Sequence, residues 1–155
     1  MSLSFELLAD RPQDVRMVVD WWQEIWGDRM GDLEAFTRNF MVTLGGDDLP
    51  VNILAMQDGK PIGTAALKEY EMREIYPDYQ HWLGSVYVKS DYRGQGVAAR
   101  LAGRVVELAR QRGIAQLYLQ TVNMTGGLYA ELGWKPIDRL TYKGDKTLVM
   151  VKSLA

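Results

Sequence analysis

The chain reads as an α/β (α+β) fold, a mixed central sheet with helices on both faces. Three observations predict it. Apolar residues recur with alternating helical and strand periods in the order βααβββαβαββ. An Asp58-Gly59 pair joins two apolar runs and makes them an antiparallel hairpin. The run Ser85–Leu101 passes from an apolar strand through two glycines one residue apart into an amphipathic helix.

Ser4–Ala9 reads as a short strand. Asp10 is placed as the N-cap, with Pro12 in the first turn, of a helix running to about Trp26. Val15, Val18, Val19, Trp22 and Ile25 give that helix its apolar face. Gly27–Gly31 breaks it, and Asp32 caps a second helix through Leu33, Phe36, Phe40 and Leu44, ended by Gly45-Gly46. Val51–Met56 and Ile62–Leu67 are the hairpin strands. Glu69–Gln80 is a charged loop containing Pro77, followed by a strand over Trp82–Val88. Beyond the glycine turn, Val97, Leu101, Val105 and Leu108 form one face of a helix that ends at Gly113. Leu117–Val122 is a strand, Gly127–Leu132 a short helix stopped by Gly133, and Trp134–Tyr142 with Thr147–Lys152 a closing hairpin. No repeat, low-complexity segment or linker interrupts this order, which predicts one domain over residues 1–155.

Composition narrows the chemistry. With 155 residues, 47% hydrophobic and 25% charged, the chain is long enough to bury roughly 70% of its unfolded surface. Eighteen Lys and Arg against 20 Asp and Glu leave a net charge of -2, which gives no electrostatic footprint for nucleic acid or a membrane surface. An anionic ligand must therefore be held locally. The absence of cysteine excludes disulfides, thiolate metal sites and a thiol acyl-enzyme. No apolar run approaches the ~18 residues of a membrane span, and Met1–Asp10 has no basic start followed by an apolar core, so the expected compartment is the cytoplasm.

The glycine turn is the feature most directly tied to chemistry. Gly94 and Gly96 lack a Cβ, so the backbone can approach a ligand closely, and the first helical N–H groups have no carbonyl partners. Such a helix start suits a phosphate or diphosphate. Gly94-x-Gly96-x-x-Ala99 has the spacing of a dinucleotide fingerprint, but no acidic residue ends the next strand, Leu117–Val122, where the ribose would be bound. A P-loop lacks its Gly-Lys-Ser/Thr. Arg93-Gly94-Gln95-Gly96-Val97-Ala98 resembles the Arg/Gln-x-x-Gly-x-Gly/Ala signature of the GNAT superfamily of N-acetyltransferases, after a strand ending Val-Tyr-Val. Leu128-Tyr129-Ala130-Glu131-Leu132-Gly133-Trp134 resembles that family's Leu-Tyr-x-x-Leu-Gly-Phe element about thirty residues on. The likeness extends over the early helices and both hairpins.

The resemblance implies a largely antiparallel sheet of about seven strands, splayed in the middle, and acetyl-CoA as co-substrate with no metal. It puts the diphosphate on the backbone of Arg93, Gly94, Gln95, Gly96, Val97, Ala98 and Ala99, and the pantetheine arm along the main chain of Val86, Tyr87 and Val88 in the manner of an added strand. Tyr129 takes the part of the acid that protonates the departing sulfur; the other reading is a tyrosine that only packs the short helix. Asn123, six residues before Tyr129 where the family usually has seven, is a further contact to CoA. Arg100 and Arg104 fit either the ribose phosphate or a solvated helix face. For the base that relieves the acceptor amine of its proton, the family's usual place holds His81-Trp82, preceded by Glu69, Glu71 and Glu74. His81, the only histidine, is either that base or a surface residue without a duty.

Trp26, Asp28, Asp32 and Glu34, with Glu69, Glu71, Glu74, Tyr76, Asp78 and Tyr79, make the segments that wall the acceptor side acidic and aromatic. That favours a small cationic amine, polyamine- or aminoglycoside-like, over a protein amine. The expectation is an acetyl-CoA-dependent N-acetyltransferase. A non-catalytic acyl-CoA-binding module and a dinucleotide-binding oxidoreductase domain stand as alternatives, and the oligomeric state is open, a homodimer included.

Overall fold

The computed structural model describes residues 3–45 and 48–155; Gly46, read above as part of a helix stop, lies outside them. Among the described residues seven strands form one sheet: β1 (Ser4–Leu7), β2 (Val51–Gln57), β3 (Lys60–Lys68), β4 (Trp82–Val88), β5 (Gln116–Thr121), β6 (Lys135–Tyr142) and β7 (Asp145–Ser153). Their order is β1-β2-β3-β4-β5-β7-β6. β1 pairs antiparallel with β2, and β7 antiparallel with both β5 and β6. β4 and β5 pair parallel, with Trp82 opposite Tyr118. The helices are α1 (Val15–Trp26), α2 (Leu33–Val42), α3 (Val97–Gln111) and α4 (Gly127–Glu131). The open, mostly antiparallel sheet with four helices is the expected architecture.

The turn chemistry sets much of this order. Asp58 and Gly59 have φ of 52° and 76°, two successive left-handed residues, which match the right-handed twist of the strands they join. Lys143 and Gly144 (φ 50° and 88°) do the same between β6 and β7. Asp32 caps α2 as predicted, its carboxylate accepting the Glu34 N–H at 3.0 Å. The start of α1 differs from expectation. Leu8–Asp10 and Pro12–Asp14 are 3-10 turns, β1 stops at Leu7, and the α-helix begins only at Val15. Arg11, with φ -134°, cannot continue a helix from Asp10, and its guanidinium is held by Asp14 at 2.5 Å.

The chain divides into two compact units, passing between them within β3, β4 and α3. One runs up to Ala66 and includes Ser85–Leu101. Its core is aromatic: Val15, Val18, Val19, Trp21 and Trp22 of α1 pack with Leu54, Met56 and Tyr87, and α2 adds Phe36 and Phe40. Trp22 meets Phe40 edge-on at 5.1 Å between ring centres. An aromatic side chain buries about 150–250 Å², worth about 4–6 kcal/mol at 25 cal/mol per Å² as an upper bound. Leu54 and Met56 share one face of β2, and Ala55 the other. Phe5, paired with Ala55, carries the Arg100 guanidinium over its ring at 5.6 Å, so within this unit α1 and the first turn of α3 lie on opposite faces. Gly63 lets β3 lie close against the end of β4, since an added Cβ would stand 2.8 Å from the Tyr87 carbonyl oxygen.

The second unit comprises Leu67–Gly84 and Ala102–Ala155. Here Met72, Trp82, Tyr118 and Val149 form the core. The 69–81 loop is packed rather than open. Met72 is fully buried, and Tyr76, Tyr79 and Tyr118 stack in succession at 4.9 Å and 4.5 Å. Tyr76 donates its hydroxyl to Asp138, and Tyr142 its own to Glu74 at 2.8 Å. Burial, followed by these hydrogen bonds, pushes both phenols up to about 12, so they remain donors.

Candidate active site

In the first unit, β4 delivers the chain to the glycine turn. Ser85, inside the strand, has φ 57°. A left-handed serine costs about 1–2 kcal/mol, so its neighbours must hold it there. Trp22 does so from α1, donating its indole Nε1–H to the Ser85 carbonyl at 3.2 Å in a buried setting. A left-handed residue breaks the strict alternation of the strand and re-aims the groups on either side, in the manner of a β-bulge. Val86, Tyr87 and Val88 follow it. The Tyr87 ring is buried against Trp21 at 5.2 Å, and its hydroxyl donates to Glu24; burial first, then that carboxylate, raises its pKa. Its side chain therefore belongs to the core, and only its main chain is available for recognition.

A 3-10 turn at Ser90–Tyr92 leads into the cradle. Gly94 and Gly96 have φ of 76° and 83°, and an added Cβ at either would meet nothing within 4 Å. Arg100 N–H donates to the Gly96 carbonyl at 3.2 Å. The amides of Val97, Ala98 and Ala99 thus lie in a first turn that has no carbonyl one turn back, at the positive end of a fifteen-residue helix. Open space, glycine backbone and small side chains fit a diphosphate. Arg93 differs from its neighbours. Its amide donates to Ser90 O at 3.4 Å, its Nε to Val88 O at 2.8 Å, and its guanidinium lies over the Tyr87 ring. It braces the end of β4 against the turn. The Gln95 side chain donates to Asp91 O at 3.2 Å. Arg100 lies over Phe5, and Arg104 pairs with Glu107 at 3.3 Å.

The second unit carries Tyr129, Asn123 and His81. Gly126 and Gly127, both left-handed, open the five-residue α4. Tyr129 N–H donates to Gly126 O, and its carbonyl accepts from Trp134 N–H, both at 3.0 Å. Its ring is half-buried and edge-on to Trp134. Burial raises its pKa, so the phenol is protonated throughout the neutral range. Asn123 shapes the loop before α4: its Oδ1 accepts from Thr125 N–H at 3.1 Å and the Thr125 hydroxyl at 2.7 Å, and its Nδ2 lies over Gly127.

His81, at φ 78°, turns the loop into β4, its N–H donating to Glu69 O at 2.7 Å and its carbonyl accepting from Tyr118 N–H. Burial lowers its pKa and Arg112 adds to that, while Glu69 opposes them. Three acidic residues of the loop are engaged: Glu69 accepts from Gln80 at 3.0 Å, Glu74 from Tyr142, and Glu71 from Lys68 at 3.0 Å. Asp32 is spent as the cap of α2. Among the described residues no group of three or more His, Asp or Glu could hold a metal ion, and no helix is long and apolar enough to cross a membrane.

In the sequence Trp22 reads only as part of the α1 apolar face, Glu71 only as one of several loop carboxylates and Ser85 only as the start of the strand-and-glycine run, while Glu24 carries no signal. Serine carries no left-handed preference that would mark a bulge, and Trp22 meets Ser85 across 63 residues.

The profile of the acetyltransferase (GNAT) family matches residues 15–134. Thialysine N-epsilon-acetyltransferase of Bos taurus is 34% identical over 67 residues, 37% of this chain and 39% of that protein, so the match spans about two fifths of the curated relative's length. An N-acetyltransferase from Staphylococcus aureus Mu50 superposes with a TM-score of 0.76 at 15% identity over 100% of both chains. The yncA protein of Salmonella typhimurium, solved with acetyl-CoA, gives 0.72 at 17% identity over 100% of this chain and 95% of its own. These structures share the fold, and members of the matched family take their acetyl group from acetyl-CoA. With the signature turn, the α4 element and 120 consecutive residues matched, the chain belongs to the acetyltransferase (GNAT) family.

Proposed function

We propose that the whole chain works as one domain that transfers the acetyl group of acetyl-CoA directly to a primary amine, and that the amine is small and cationic. The glycine cradle is the observation that carries the reading: two left-handed glycines with open space above them, at the start of a helix whose first amides face no carbonyl. Acetyl-CoA, when bound, supplies an acetyl group activated as a thioester. Gly94–Ala99 amides grip its diphosphate, and the main chain of Val86–Val88, re-aimed by Ser85, lines up the arm that leads to the thioester. A backbone N–H placed at the acetyl oxygen would contribute about 3 kcal/mol of transition-state stabilisation.

Tyr129 keeps its proton at the phenol oxygen until the sulfur departs, then donates it. At ordinary values of about 10 for a phenol and 8.5 for a thiol, that transfer is uphill by about 2 kcal/mol. The phenol is therefore a proton reservoir that stays full at neutral pH, and formation of the amide draws the transfer forward. Asn123 supports the loop that presents Tyr129 and offers its Nδ2 to CoA. His81, which burial keeps neutral, is a proton acceptor at the start of β4.

A lean toward a cationic acceptor is supported by the 68–81 segment, whose four carboxylates, Glu69, Glu71, Glu74 and Asp78, outnumber Lys68 and Arg73. The thialysine acetyltransferase of cattle, whose named substrate is a lysine-like amine, points the same way. The test is CoA release from acetyl-CoA with thialysine, lysine, spermidine, kanamycin and an alanine-terminated peptide. Turnover of one or more of the small amines above the peptide is expected. CoA binding without release on any amine would identify an acyl-CoA-binding module instead.

A further inference from the structure

We propose that Glu71 is the residue that recognises the acceptor ammonium. This rests on the acetyltransferase reading above and adds the group that gives the amine its charge preference.

The placement follows from strand register. Trp82 of β4 lies opposite Tyr118 of β5. Two residues on, along both strands and on the same face, come Gly84 and Gln120. Gly84 has no side chain, and the Glu71 carboxylate fills the space: an added Cβ at Gly84 would lie 2.9 Å from its carboxyl carbon and Oε1 and 3.1 Å from Oε2. A carboxylate from a loop thus takes the position that a β4 side chain would occupy, one residue before the left-handed Ser85.

The carboxylate is held. Lys68 Nζ donates to Oε2 at 3.0 Å, and Gln120 Nε2 to Oε1 at 3.4 Å. An ionised carboxyl has about four acceptor positions, so each oxygen keeps one for a further donor. The Glu71 side chain is 16% exposed, enough to reach a ligand yet largely shielded from water. Fully buried Met72 follows it in the chain, and buried Trp82 and Tyr118 precede Gly84 and Gln120 on the strands. Contacts to a charge in such a setting are stronger than at an open surface. A flexible surface glutamate would lose conformational freedom on meeting an ammonium; this one is already fixed by two donors. The pair with Lys68 cancels long-range attraction, so Glu71 acts at contact, through its remaining lone pairs, and discriminates between acceptors that carry N–H donors with positive charge and those that do not.

His81 is less well placed for this. It lies three residues before Gly84, about 10 Å back along an extended strand. Glu69 and Glu74 are taken by Gln80 and Tyr142 instead.

The test compares two acceptors, 1,3-diaminopropane, cationic at pH 7, and methoxyamine, neutral there. The readout is the ratio of their kcat/KM values. Glu71→Gln is expected to lower that ratio ten- to hundredfold, the range for losing a hydrogen bond to a charged group. Gly84→Ala should lower it in the same direction, because its methyl meets only the Glu71 carboxylate and pushes it from its place. Binding of CoA by calorimetry is read alongside. Should Glu71→Gln fail to fold, Gly84→Ala decides by itself. An unchanged ratio in a variant that binds CoA and turns over both acceptors overturns the assignment, as does a parallel loss with both acceptors, which marks a merely structural role. Transfer by the unsubstituted chain to neither of these two, nor to any amine of the panel above, overturns the acetyltransferase reading itself, and this inference with it.

Discussion

Gly96→Ala separates stability from ligand binding. Gly96 sits at φ 83° with open space where a Cβ would go, so alanine meets no clash but must hold a left-handed backbone. That strain is about 1–2 kcal/mol. For a chain of this length each kcal/mol moves Tm by about 2–4 °C, so a fall of about 2–8 °C is expected with the fold retained. The methyl also enters the hollow over the turn. If the α3 amides hold the diphosphate, at least one charge-assisted hydrogen bond is lost, about 1.5–3 kcal/mol, and the Kd for CoA rises about 10- to 150-fold. Calorimetric titration of CoA gives Kd, and steady-state kinetics give KM and kcat. The KM for acetyl-CoA should rise while kcat at saturation changes little, because Gly96 is remote from the departing sulfur. A variant that shows the expected fall in Tm yet binds CoA as tightly as the parent refutes the cradle.

Three further outcomes follow from the geometry. If Tyr129 is the acid, Tyr129→Phe should lower kcat about a hundredfold or more with CoA affinity unaffected; because burial raises the phenol, the parent should then lose activity only at strongly alkaline pH, and kcat–pH profiles of the two proteins show whether that limb belongs to Tyr129. Trp22→Phe keeps an aromatic ring but leaves the Ser85 carbonyl without its donor, a loss of about 1–3 kcal/mol visible as a Tm lower by about 2–12 °C. His81 is held toward its neutral form by burial, so the unfolded chain binds the extra proton and stability falls as pH drops through the ordinary value of about 6.5. His81→Asn, which tolerates the left-handed backbone, should therefore lose less Tm than the parent between pH 8 and pH 5.

Much of the fold could be read from local chemistry. Asp58-Gly59, the Asp32 cap, the β4 strand and the amphipathic α3 each answer to residues within a few positions of one another, and the structure has them where the sequence places them. The start of α1 could not, because a proline at position 12 is compatible with both an α-helix and a 3-10 turn, and the backbone of Arg11 decides between them. The 69–81 segment reads as a charged loop because its charges dominate its composition. Met72 and the Tyr76–Tyr79–Tyr118 stack, which pin it to the sheet, become meaningful only once β5 lies beside it.

The candidate site divides in the same way. The glycine turn and Tyr129 sit in contiguous motifs and were legible as such. The left-handed Ser85 depends on an indole 63 residues upstream, and the Glu71 carboxylate on a strand glycine 13 residues downstream. Gly84 carries no signal of its own in the sequence, since a small residue in an apolar strand has many explanations. Glu71 stood among the acidic residues before His81, with nothing to set it apart from Glu69 and Glu74 until the three were seen with their partners.

A structure of the chain with CoA bound measures the central claim directly, as the distances from the diphosphate oxygens to the amide nitrogens of the Gly94–Ala99 turn. Two or more of them at about 2.7–3.2 Å are predicted. A diphosphate held by side chains elsewhere, with these amides in contact with water or protein carbonyls, would contradict it.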